Sequence, residues 1–257
     1  MVTRRDTLAL LALASTPFGL ARADSWGWDM RDGAREAAKE AGAEVIGYDE
    51  VSLGTSDYTT ILQKVRSMKP DVFIAAQFGG DAVALLKQVH QMGLGKEMTI
   101  FPAFMTNVVA KGIPPEALEG IYAMHYFYYD LANFEDKEVA KSAAEFTNLF
   151  RAKYNKPPDA YATIAYIAYM EMFRGFEAAK SLDPMAVAKA LRAGNGSFNT
   201  VKGPARWRED HAAEYKHAAF LVKGKGPKEQ KHEWDLFTVM GSQGGEGVMP
   251  SLKSLGY

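Results

Sequence analysis

Cysteine is absent from the 257 residues, which excludes disulfides, thiolate metal sites, a cysteine nucleophile and a lipidated N-terminal cysteine. Concentrated positive charge is lacking too. Lys and Arg number 30 against 31 Asp and Glu, for a net charge of -1, whereas nucleic-acid phosphates call for a clustered basic footprint. One Lys-rich stretch, Lys223, Lys225, Lys228 and Lys231, is broken by glycines and acids and reads as a solvated loop. No nucleic-acid partner is expected. There is no phosphate loop, no GxGxxG and no GxSxG elbow, and Gly79-Gly80 alone is too weak a signal. The histidines, His90, His125, His211, His217 and His232, show no metal-ligand spacing. Glu209-Asp210 beside His211 has no nucleophile to serve. The expectation is a protein with no catalytic residues, no metal and no cofactor, and not an enzyme.

Long apolar runs are equally scarce, and no segment is long enough to span a bilayer. The first 23 residues instead divide like an export signal. Arg4 and Arg5 make a basic start, Leu8 to Ala14 is apolar, Pro17 breaks the helix and Ala21-Arg22-Ala23 offers small residues for cleavage. Residues 1–23 are therefore expected to be a leader cut after Ala23, leaving an exported, periplasmic chain. The arginine pair suggests the twin-arginine route. Asp6 and Thr7 depart from that pattern, so the ordinary secretory route stays open.

From Trp28 onward the pattern is regular. Met30, Ala34, Ala37, Ala38 and Ala41 share one helical face, and Gly42 ends it. Glu44 to Tyr48 reads as a strand. Asp57 can cap a helix carrying Tyr58, Ile61, Leu62, Val65 and Met68 at helical spacing. Val72 to Ala76 is an unbroken apolar strand, which requires burial on both faces. A further helix from Asp81 and strands at Met98 to Phe101 and Gly120 to Tyr126 repeat the unit. Such alternation predicts an α/β fold, a mostly parallel sheet with helices on both faces. After about residue 130 three helices follow without a strand: Lys137 to Tyr154, Pro158 to Ser181 and Pro184 to Ala193. The middle one is apolar nearly all round and needs cover on more than one side. Strands are expected at Gly203 to Arg208 and His217 to Val222, and then a loop-rich tail.

In open parallel sheets ligands bind beyond the carboxyl ends of the strands. Gln77-Phe78-Gly79-Gly80 and the turn with Phe104 and Met105 each pair an apolar surface with one or two polar groups, as a pocket for a small amphipathic solute would. The candidate ligand-binding residues are Gln77, Phe78, Phe104 and Met105. The pattern reads equally well as core residues spilling over the sheet edge.

Trp26-Gly27 with an alanine-rich helix, Val45-Ile46-Gly47, Asp57-Tyr58 with Ile61 and Leu62, and Lys69-Pro70-Asp71-Val72 come in a telling order. With Asp81, Leu86-Lys87-Gln88, Gly93 and Gly203 to His211, the chain resembles the leucine/isoleucine/valine-type (type I) periplasmic solute-binding proteins of ABC importers. The likeness implies two α/β lobes that close on a solute, three chain crossings and an inner-membrane ABC permease as partner. It implies an α/β ligand-binding lobe over residues 24–127, a helical segment of the other, truncated lobe over 128–200, and a return to the α/β lobe with the C-terminal tail over 201–257. The family places a whole sheet, and the strand feeding Trp26-Gly27, ahead of residue 25. A leader standing there implies a protein without most of its first lobe. The two carried-over turns are neutral where an amino-acid binder would place an acid, so an amino acid, an amide and an aromatic or other organic acid all remain open. Tyr161, Ile164, Ile167, Tyr169 and Phe173 would lack their sheet and favour self-association. Alternatives are a flavodoxin-like cofactor module, which needs a phosphate cradle at Gly79-Gly80, and a sensor or interaction lobe without a ligand.

Overall fold

A computed structural model of the chain describes residues 16–257. The chain divides into two units, crossing between them after residues 125, 220 and 240. Among the described residues one comprises 16–125 together with 221–240, the other 126–220 with 241–257.

The first unit is built from β1 (Pro17–Arg22), α1 (Ser25–Glu40), β2 (Gly47–Val51), α2 (Thr59–Met68), β3 (Val72–Ala76), α3 (Gly79–Gln91), β4 (Thr99–Pro102), the short helices α4 (Asn107–Lys111) and α5 (Pro115–Leu118), and β5 (Tyr122–His125). Its parallel sheet has the order β2-β1-β3-β4. Every residue of β3 is buried, as an unbroken apolar strand demands. Leu62 and Val65 of α2, and Ala82, Leu85, Leu86 and Val89 of α3, are buried as their spacing requires. Asp57 does not cap α2 through the usual position; its Oδ1 accepts from the Thr59 N–H at 2.9 Å.

β1 overturns the sequence reading of this region. Pro17–Arg22 was expected at the end of a leader, with the strand before Trp26 absent. It is that strand. It pairs in parallel with β2 on one side (Phe18↔Gly47, Leu20↔Asp49) and with β3 on the other (Phe18↔Phe73, Ala21↔Ala76). Phe18, Leu20 and Ala21 are at most 1% exposed. Cleavage after Ala23 would remove the central strand and leave β2 and β3 with unpaired inner edges. The apolar run Leu8 to Ala14 and the Arg4-Arg5 pair lie outside the described residues.

The second unit holds α6 (Lys137–Tyr154), α7 (Ala160–Ala179) and α8 (Pro184–Arg192), then β6 (Ser197–Thr200), β7 (Gly203–Trp207) and β8 (Ala213–Tyr215). Each helix starts on an aspartate, Asp136, Asp159 or Asp183, whose carboxylate accepts a first-turn N–H. That is the strongest class of N-cap and explains why these starts were legible. The strands form an antiparallel sheet of order β6-β7-β8. The 203–208 strand was expected to rejoin the α/β lobe at about residue 201. It stays with the helices, and the return begins only at residue 221. β9 (Ala219–Gly224), close to the strand expected over 217–222, and β10 (Phe237–Gln243), where a loop-rich tail was expected, join β5 in a three-stranded sheet of order β10-β9-β5. A last short helix, α9, spans Gly245–Val248.

The antiparallel sheet covers one side of α7. Ile167, expected to be exposed, is buried with Phe198 and Ala205 against Trp207 and Tyr215. Glu171 is nearly buried there, accepting from Arg174 Nε at 2.6 Å and Trp207 Nε1 at 2.9 Å. Tyr161, Ile164, Tyr169 and Phe173 are exposed, with Tyr169 and Phe173 on the side of α7 away from Ile167.

Burial of Phe18 and Leu20 together is worth roughly 3–6 kcal/mol, a large share of the 5–15 kcal/mol that holds a typical domain together. A chain started at Asp24 is therefore expected to lose cooperative unfolding, while one started at Thr16 keeps it. Circular dichroism melts of the two forms check this. A sharp transition in the Asp24 form would show that β1 is dispensable.

Candidate solute site at the carboxyl edge of the sheet

The pairings Ala21↔Ala76 and Ala75↔Pro102 set the carboxyl ends of β1, β3 and β4 side by side. Arg22 and Gln77 stand at the ends of neighbouring strands. The Ala103 N–H donates to the Ala75 carbonyl at 2.9 Å, holding the turn that presents Phe104.

The candidate residues fare differently. Phe78 and Phe104 come together, ring centroids 5.6 Å apart, and Trp26 extends the row with its ring 6.3 Å from Phe78. These spacings are those of favourable aromatic contacts. Gln77 is 1% exposed, and neither its amide oxygen nor its amide nitrogen has a partner among the described residues. Buried amides without partners are costly and uncommon in folded proteins. Met105 is wholly buried, its N–H donating to the Met124 carbonyl at 2.9 Å, and packs the edge rather than joining the row. Thr106 caps α4 by accepting from the Val109 N–H at 3.2 Å.

Sequence reasoning missed Arg22 and left Trp26 out of the candidate set. The Arg22 guanidinium lies 5.3 Å from the Trp26 ring centre and pairs through Nη2 with Asp24 at 2.6 Å. Asp24 in turn accepts from the Gly27 N–H at 2.8 Å and so starts α1. These two partners, Arg22 first, hold the Asp24 carboxyl below its ordinary range. Trp26 was visible beside Gly27, but Arg22 was hidden by the Ala-Arg-Ala reading.

The one carboxylate on the turn after β1, that of Asp24, is engaged by Arg22 and by the α1 cap. Among the described residues no cluster of three or more His, Asp or Glu side chains could hold a metal. No helix among them is long and apolar enough to cross a membrane.

The chain belongs to the periplasmic binding protein family, whose model matches residues 12–229. A Leu/Ile/Val-binding protein homolog from Brucella abortus is 27% identical over 184 residues, 72% of this chain and 47% of its own length. The chain thus spans about half the length of the curated relatives it matches. A branched-chain amino acid ABC transporter ligand-binding protein from Burkholderia xenovorans superposes with a TM-score of 0.82 at 20% identity, covering 98% of this chain and 64% of that one. A solute-binding protein from R. palustris, solved with benzoate, gives 0.75 at 20% identity, over 93% of this chain and 61% of its own. The family is periplasmic and binds substrates for transport; it is not a class of enzymes. The flavodoxin-like alternative is not favoured.

The site's foundation is Gly27. A Cβ there would lie 1.9 Å from the Arg22 carbonyl oxygen, so α1 can start against β1 only on a glycine. Gly27→Ala is expected to cost about 3 kcal/mol through overpacking and to displace Trp26. Chemical denaturation measures the loss; a change under about 0.5 kcal/mol would show that the contact relaxes freely.

Proposed function

We propose that this chain is the solute-binding component of an ABC importer, holding an amino acid, amide or aromatic or other organic acid at the Gln77–Phe78–Phe104 edge and delivering it to an inner-membrane permease. The observation that carries the reading is the buried, unpartnered Gln77 amide beside a row of three aromatic rings, at the place where α/β sheets bind ligands. Relatives carry Leu/Ile/Val-binding names, and one structural neighbour holds benzoate; the aromatic row Trp26–Phe78–Phe104 suits the apolar body of such solutes. Export through the basic and apolar start fits a periplasmic site of action, with Arg4-Arg5 the reason to consider the twin-arginine route. Processing ahead of Pro17 would leave β1 whole.

A solute held by this edge alone gains contacts from one side, which supports affinity near the millimolar range, about -4 kcal/mol. Calorimetry with a panel of branched-chain amino acids, small amides and aromatic acids is expected to find at least one binder, weakened tenfold or more by Phe104→Ala. A panel without any binder, or binding indifferent to Phe104→Ala, would remove the proposal.

The bare face of α7 supports a second partner, another copy of the chain. Tyr169, Met170 and Phe173 lie together on one exposed side of α7, the kind of patch that associates. Sedimentation equilibrium is expected to show mass rising with concentration, and the double variant Tyr169→Lys, Phe173→Lys to restore a monomer. A wild-type chain that is monomeric at every concentration contradicts this.

A further inference from the structure

We infer that the site selects a planar aromatic monocarboxylate and that Arg22 is the anchor for its carboxylate; the inference rests on the solute-binding reading above. The end of β1 and the turns and first helical turns that follow β1, β3 and β4 carry three charged side chains: Arg22, Asp24 and Asp81. Asp24 is committed to Arg22 and to the start of α1, and Asp81 accepts from the Gly54 N–H at 3.1 Å. Arg22 is less committed. Its ion pair with Asp24 engages Nη2, its Nε is buried with no partner among the described residues, and its side chain keeps 16% of its surface exposed. A guanidinium offers five N–H donors in one plane, a geometry suited to a carboxylate. Burial without an acceptor leaves part of that capacity unused, which a bound carboxylate would satisfy.

Gln77 adds the neutral half of the recognition. The register that pairs Ala21 with Ala76 brings the Arg22 and Gln77 positions to adjacent strand ends, and the Gln77 amide has both a donor and an acceptor to give. Its N–H can share the ligand carboxylate with Arg22. The ring of the solute then falls to Trp26 and Phe78, which are partly exposed and lead to Phe104. Arg22 lies over Trp26, so charge anchor and aromatic surface are contiguous.

The same arrangement disfavours an α-amino acid. Its ammonium needs a carboxylate or several acceptors on desolvation, and the two turns beyond β3 and β4 supply Gln77, Phe78, Ala103, Phe104, Met105 and Thr106, none of them acidic. An ammonium placed here would also face the Arg22 charge.

Saturation-transfer NMR on the purified chain at pH 7, with benzoate, benzamide and L-leucine as probes, tests the inference. Benzoate is expected to bind at least tenfold more tightly than either of the others, and Arg22→Gln to erase its advantage over benzamide while Arg22→Lys keeps part of it. Melting curves of both variants report whether β1 still folds; if Arg22→Gln does not fold, the order of the three probes on the unaltered chain decides alone. L-leucine binding above benzoate would overturn this inference and leave the solute-binding reading standing. Equal affinity for benzoate and benzamide would overturn the anchor role. No binding of any probe would overturn this inference, and failure of the wider panel of amino acids, amides and acids would be needed to remove the solute-binding reading as well.

Discussion

The two-sided pairing of β1 governs the first unit. A parallel strand in the middle of a sheet satisfies its own backbone groups and one edge of each neighbour; without it β2 and β3 would not belong to one sheet. The side chains around it interlock in small and large pairs. Gly47 lies under the Phe18 ring, where a Cβ would come within 2.5 Å of Phe18 Cε2. Gly19 faces Tyr48 in the same manner, with 3.0 Å to Cδ2. The strand ends at Arg22, and α1 begins three residues on, so the same six residues fix the sheet, the seat of the first helix and one wall of the solute edge.

The second unit depends on a different device. α7 is apolar nearly all round, yet it carries Glu171 toward the antiparallel sheet, where Arg174 and the Trp207 indole N–H share its carboxylate. Phe198 stacks on Trp207 with ring centroids 5.4 Å apart. A buried carboxylate is tolerated only when paired and hydrogen-bonded, so this polar contact fixes which face of α7 meets the sheet. The opposite face receives no comparable cover within the unit, which is why large aromatic side chains there stay in solvent.

Elements that announce themselves by local chemistry were legible in the sequence. β3 shows as five consecutive apolar residues, and α6 opens on Asp136 and ends on Asn155 in the left-handed conformation. The turns presenting Phe78 and Phe104 followed from strand order alone. β1 was not legible because Pro-Phe-Gly-Leu-Ala-Arg has no alternation, contains a proline and a glycine, and continues an apolar stretch behind two arginines; that composition suits a leader as well as a buried strand. β6 and β8 have four and three residues, too few for a period to emerge, and they are held by pairing with β7. β10 follows a Lys- and Gly-rich loop whose composition masked it. The partnerless state of Gln77 and the position of Arg22 over Trp26 come from tertiary packing, which no local pattern carries. The family likeness supplied the order of units but displaced the return crossing by twenty residues, because the strand at Gly203–Trp207 pairs locally.

Pro17–Arg22 is part of the folded sheet rather than a tail. Amide hydrogen exchange of the intact chain, resolved to single residues, reads this directly. The N–H groups of Gly19, Leu20 and Ala21 are predicted to exchange only by global unfolding, as slowly as those of Phe73 and Ile74 in β3. Exchange at those three sites at the rate of an open peptide, with β3 still protected, would contradict the account.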